Sequence, residues 1–250
     1  MQVKTTALVV ADISGYTRFV VFRKLSQLHA EQIITDLIEA VAAKARHPLQ
    51  LNKLEGDAAF FVAPIEAADK GAMDDIVAQV WSFFEAFRKT QAEHFKGCVG
   101  GCRCSGCRTL QNLRLKAIVH VGDVVHKTIG DFQEVAGEAV ILIHRLLKNT
   151  VPGDEYLLLT EHAADSIQSL PIPQVGTHVE QVEDLGPVKV VVYQPDGPPE
   201  LVRSENEPLV TLDGVKDAIL TTWTAMANRF ARRGRSFRNM PERNKIALAA

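Results

Sequence analysis

The 250-residue chain is long enough for one sizeable domain with an appendage. Apolar residues make up 46% and charged residues 23%, a composition that excludes a disordered chain. The net charge of −2 argues against nucleic acid as the main partner, no run of roughly 18 apolar residues marks a membrane span, and the start lacks signal-peptide features, so a cytoplasmic protein is expected.

Residues 7–13 form a short apolar run that ends at Ser14-Gly15, the pattern of a buried strand entering a tight turn. Leu28, Ile34, Leu37, Ile38 and Val41 recur at helical spacing and predict a helix over 26–46. Residues 49–53 and 58–62 flank Glu55-Gly56-Asp57 and predict a β-hairpin with an apolar, central second arm. A helix over 74–94 carries Val77, Val80, Trp81, Phe84 and Phe87 on one face.

Residues 113–121 and 124–128 predict a second hairpin, turning at Gly122-Asp123. A helix over 137–149 follows, then a strand over 156–160, a short helix over 161–169, and strands over 175–182 and 188–193. Helices mixed with antiparallel hairpins point to an α+β sandwich with the helices on one face of the sheet.

Asp12 ends the first strand and Asp57 sits in the first hairpin turn. In a ferredoxin-like sheet these positions can lie side by side, where two carboxylates repel unless a cation such as magnesium sits between them. Gly15 and Gly56 allow close backbone approach to phosphate. Spacing alone leaves a plainer alternative, in which Asp12 caps a turn and Asp57 supplies hairpin chemistry.

Five segments in order bear on that choice. Ala11-Asp12-Ile13-Ser14-Gly15-Tyr16-Thr17 and Lys53-Leu54-Glu55-Gly56-Asp57 resemble the two metal-binding signatures of class III adenylate and guanylate cyclases. Lys116 to Gly122 with Gly130, Gly137 to Arg145, and Pro152-Gly153-Asp154-Glu155 resemble later segments of the same catalytic domain. The resemblance is colinear over about residues 5–195 and implies the ferredoxin-like βαββαβ nucleotidyl-cyclase fold, a mostly antiparallel sheet with helices packed on it. It also points to a divergent bacterial branch carrying a cysteine-rich loop.

The resemblance further implies nucleotide cyclisation, with ATP to cyclic AMP favoured, using Mg2+ or Mn2+. Asp12, the Ile13 carbonyl and Asp57 match the metal ligands, and Ser14, Gly15, Tyr16 and Thr17 match the phosphate cradle, with Gly56 beside it. Arg145 matches the arginine that stabilises charge on the transferring phosphate, a task suited to a forked, permanent cation. Lys53 and Glu134 match the pair that reads the base. Because the family builds each site from two chains, a homodimer is implied.

Two departures count against turnover. Ile141 stands where the family has a ribose-orienting asparagine, and Leu185-Gly186 where it has a phosphate-gripping base, for which Lys189 is a substitute candidate. The alternative is a catalytically degenerate relative that binds nucleotide or metal and regulates.

Cys98, Cys102, Cys104 and Cys107 supply enough thiolates for a tetrahedral zinc site, with reduced thiols or a regulatory disulfide as alternatives. Pro, Gly, Glu and Asn mark a linker over 196–210. Beyond it, residues 211–250 hold an amphipathic stripe around Trp223 and a basic tail, read as a docked helix with weaker options of anionic lipid or nucleic acid.

Overall fold

The computed structural model describes residues 1–21, 27–65, 71–99, 110–169, 172–195 and 197. Strand β1 (Gln2–Ser14) is followed by α1 (Tyr16–Val21), α2 (Gln27–Ala42), β2 (Gln50–Glu55), β3 (Ala58–Pro64) and α3 (Ala72–Val99). Then come β4 (Arg114–Ile129), β5 (Phe132–Ala136), α4 (Glu138–Leu146), β6 (Tyr156–Thr160), α5 (Glu161–Asp165), β7 (Gln174–Val182) and β8 (Gly186–Tyr193). The sheet runs β2-β3-β1-β4-β6-β8-β7, with β5 paired to β4. Its first four strands have the order of a ferredoxin-like βαββαβ unit. Only the β4–β6 pairing is parallel.

The apolar runs explain why β1 and β3 are central. Residues Thr6 to Ala11 and Ala58 to Ala63 are buried on both sheet faces, as continuous rather than alternating hydrophobicity requires. Each large aliphatic side chain so buried stabilises the fold by roughly 1.5–3 kcal/mol. Ala7, Val9, Ala11 and Ile13 point to one face, where Ile33, Leu37, Val77, Phe84 and Phe87 of α2 and α3 cover them. Leu8 and Val10 point to the other, against Phe60, Ile118, Ala139, Ile143 and Leu146. Both faces therefore carry helix. This corrects the expectation of helices on one face: the apolar side of α4 has its own core to fill.

A second correction concerns β4. No turn forms at Gly122-Asp123; the strand runs unbroken for 16 residues and the hairpin closes at Gly130, with φ +60. Gly122 pairs with Thr6 of β1, and the Asp123 carboxylate accepts a hydrogen bond from Thr5 Oγ1 at 2.7 Å. A Cβ on Gly122 would fall 2.8 Å from the Ala139 Cβ. The glycine therefore serves close approach of α4 to the strand, not a turn. Elsewhere β1 begins earlier than expected, at Gln2, and α1 is an added short helix.

Candidate nucleotide site

Asp12 lies two residues before the end of β1, opposite Ala58 of β3 and Lys116 of β4. Its side chain shares the face of Leu8 and Val10 because strand side chains alternate. Asp57 occupies the β2–β3 turn, which Gly56 closes at φ +66. The Ile13 N–H donates to the Asp57 carbonyl at 3.3 Å, tying the turn to the end of β1. The two aspartates, 45 residues apart in sequence, thus meet at one sheet end.

Electrostatics records their proximity. Burial, then the Asp57 charge, pushes the Asp12 carboxyl up to about 6, with Lys116 pulling the other way. Burial also raises Asp57, opposed by a hydrogen bond from its own backbone. Two half-buried carboxylates that repel each other suit a hard divalent cation. Among the described residues, no group of three or more His, Cys, Asp or Glu side chains converges on one point. A cation held by Asp12, Asp57 and the Ile13 carbonyl would therefore need further oxygens from outside the protein, the usual situation for magnesium on phosphate. The Ile13 side chain itself is buried on the opposite face, leaving its backbone for any such contact.

Gly15 turns the chain at φ +91 into α1, where the Phe19 N–H donates to the Gly15 carbonyl at 2.9 Å. Tyr16 donates its hydroxyl to Glu31 at 3.3 Å, and Thr17 is exposed. Ser14 Oγ is buried yet has no hydrogen-bond partner. An orphaned hydroxyl of this kind costs about 1–3 kcal/mol unless something fills its demand. Ser14 and Gly15 line a cavity of ≈ 490 Å³ with Asn112, Arg114 and Asp154.

Lys53 and Glu134 also come together. Lys53 Nζ lies 3.8 Å from Glu134 and 3.1 Å from Glu55, and 5.6 Å from the centroid of the Phe60 ring. Asn52 Nδ2 donates to the Gln133 carbonyl at 3.0 Å and links β2 to β5. His144 completes this cluster, with Nδ1 3.4 Å from Glu55 and its ring 5.1 Å from Phe60. Burial lowers its basicity, so the imidazole is neutral near pH 7.

Sequence reasoning missed His144, Glu55 and Lys116 as site residues. Glu55 and Lys116 stood inside recognised motifs, but only the strand pairing shows that Lys116 opposes Asp12 and lies 5.5 Å from the centroid of the Tyr156 ring.

Other residues stand apart. Arg145 on α4 is held by the Glu183 carbonyl, by the Glu183 carboxylate at 3.1 Å and by Asp184 at 3.3 Å. Ile141, one turn earlier, is 52% exposed. Lys189 is not brought to the aspartates: it shares the sheet face of Val191 and Tyr193, opposite that of Asp12, and pairs with Glu161 at 3.0 Å. The Leu185-Gly186 turn between β7 and β8 brings no cation in its place. Cys102, Cys104 and Cys107, the Cys98 side chain, most of the linker and the 211–250 segment lie outside the described residues. No helix among the described residues is long and apolar enough to cross a membrane.

Comparison with known proteins bears on the fold. The family described as "Protein of unknown function (DUF2652)" matches residues 34–156. The uncharacterized protein Rv2561/Rv2562 of Mycobacterium tuberculosis (strain ATCC 25618 / H37Rv) is 34% identical over 144 residues, 56% of this chain. That match spans 65% of the mycobacterial protein, slightly under two thirds.

Among solved structures, the guanylyl cyclase Cya2 superposes with a TM-score of 0.63 at 16% identity, over 84% of this chain and 98% of its own. The guanylate cyclase domain of RhGC from Catenaria anguillulae, in complex with GTP, gives 0.57 at 14% identity, over 78% and 98%. The adenylyl cyclase CyaB from P. aeruginosa gives 0.54 at 16% identity, over 82% and 97%. The α+β fold of this chain is accordingly similar to that of adenylyl and guanylyl cyclase catalytic domains.

Proposed function

We propose that the chain binds a nucleoside triphosphate with divalent metal at Asp12 and Asp57 and forms a cyclic nucleotide, with ATP the favoured substrate and Mg2+ or Mn2+ the metal. The observation that carries this reading is the meeting of two half-buried, mutually repelling carboxylates at the end of β1, beside an unpartnered Ser14 hydroxyl. A bound divalent ion would neutralise phosphate charge and ease deprotonation of the ribose hydroxyl. The chain's own residues do the rest. The backbone of Ser14 to Thr17 cradles phosphate oxygens, and the Lys116 charge on the paired strand favours the ionised Asp12 carboxylate. Lys53 offers a donor and Glu134 an acceptor to a base edge, and adenine presents the complementary ring nitrogen and amine.

Arg145 supports turnover only if it leaves Glu183 and Asp184, and a homodimer would bring it to the partner's aspartates. That requirement, with exposed Ile141 in the ribose-facing register, favours a second reading: a regulatory module that binds nucleotide without cyclising it. Incubating the protein with each of the four NTPs and Mn2+, then separating cyclic products by chromatography, decides between them. Product abolished by Asp57→Ala establishes the cyclase. Binding without product establishes the module, and neither binding nor product removes both.

A further inference from the structure

The expected phosphate-gripping cation is missing from the β7–β8 turn, and Lys189 lies on the wrong face of the sheet. The search for another cation leads to the start of β4. Arg114 is the cross-strand partner of Ser14, as Lys116 is of Asp12. Leu113, Leu115 and Ala117 face the α2–α3 core, so Arg114 and Lys116 share the Asp12 face.

The Arg114 guanidinium donates through Nη1 to the backbone carbonyls of Gln111 and of Leu113, the latter at 2.8 Å. Its Nη2 and Nε donate to no protein atom among the described residues. Nor does Arg114 have an anionic partner among them, whereas Arg88 and Arg145 each hold a carboxylate. Asp154 lines the same cavity but lies beyond ion-pair distance. Arg114 therefore flanks the ≈ 490 Å³ cavity beside the orphaned Ser14 hydroxyl with most of its donors unspent on the described residues.

We propose that Arg114 grips the β- and γ-phosphates of the bound nucleoside triphosphate, taking the place of the absent cation at the β7–β8 turn. This rests on the nucleotide reading above and adds a residue to it. A forked guanidinium suits the task because it can donate two parallel hydrogen bonds to phosphate oxygens while its Nη1 stays anchored to the backbone. The Ser14 hydroxyl, on the cross-strand partner of Arg114, donates to the same phosphate end.

The test is equilibrium binding of ATP, inorganic pyrophosphate and AMP, each with Mn2+, to the full chain and to Arg114→Ala and Arg114→Gln. Glutamine keeps a donor for the Gln111 and Leu113 carbonyls while removing the charge, so it carries the test if the alanine variant does not fold. The expected result is loss of ATP and pyrophosphate affinity by about tenfold or more, with AMP unchanged. Unaltered ATP and pyrophosphate affinity overturns the proposal, as does an equal loss for all three ligands. If the unaltered protein binds ATP, the nucleotide reading survives either of those failures; if it binds none of the three, both fall.

Discussion

Asp12 is where burial and charge meet most sharply. Its folded-state pKa, raised from 3.8 to about 6, means that the folded protein holds a proton which the unfolded chain has already released between those values. Stability from this group is therefore full below about pH 4 and is lost as pH rises through about 6, in the absence of divalent ions. Discounted for partial solvent exposure, the loss is on the order of 1–2 kcal/mol.

Asp12→Asn should recover about that amount at neutral pH in urea unfolding, and its stability should vary less between pH 4 and 7 than that of the unaltered protein. Mn2+ with ATP should raise the melting temperature of the unaltered protein and leave that of Asp12→Asn in place. The aspartates were legible in sequence as motif members. Their repulsion followed from placing both at one sheet edge; the burial that raises Asp12 more than the neighbouring charge does was not legible, because it depends on how the strands and helices pack around it.

At the scale of elements, α4 decides how the second sheet face is covered. It approaches β4 so closely that Gly122→Ala would place a Cβ 2.8 Å from Ala139 and 3.1 Å from His120 Nε2. The helix or the strand must then shift, at a cost of about 1–3 kcal/mol, read as a lower denaturation midpoint with an unchanged slope. A glycine-aspartate pair reads locally as a turn; here long-range packing gave it another task, which is why the hairpin was misplaced.

The pair of Arg88 on α3 with Glu155 before β6 is a second junction, bonded twice at 3.1 and 2.8 Å and largely screened from water. Arg88→Ala strands a buried carboxylate and should cost about 3 kcal/mol in the same assay, more than an exposed pair such as Lys189 with Glu161. Periodicity revealed α3 and its apolar face. It could not show which strand end the helix would be bolted to.

Across the whole molecule, most of the element order was readable because hydrophobic period and turn residues agreed, except at Gly122-Asp123 and the short α1. Two features were not: that helices cover both faces, and that His144 of α4 reaches the Lys53–Glu55 pair of β2. Both depend on how α4 crosses the sheet, which no local pattern encodes. The proposed homodimer is also a property of this scale. Sedimentation should give a species of twice the 27.5 kDa chain mass, and mixing Asp57→Ala with Arg145→Ala should restore turnover that each variant lacks alone. A strict monomer that cyclises nucleotide would contradict the shared site.

The account as a whole depends on the two aspartates acting together on one cation and one triphosphate. Calorimetric titration of Mn2+ into the protein, with and without ATP, measures that directly. The prediction is weak Mn2+ binding alone, a gain of at least about tenfold with ATP, and loss of that gain in both Asp12→Asn and Asp57→Asn. Mn2+ affinity indifferent to ATP, or undiminished in either variant, would contradict it.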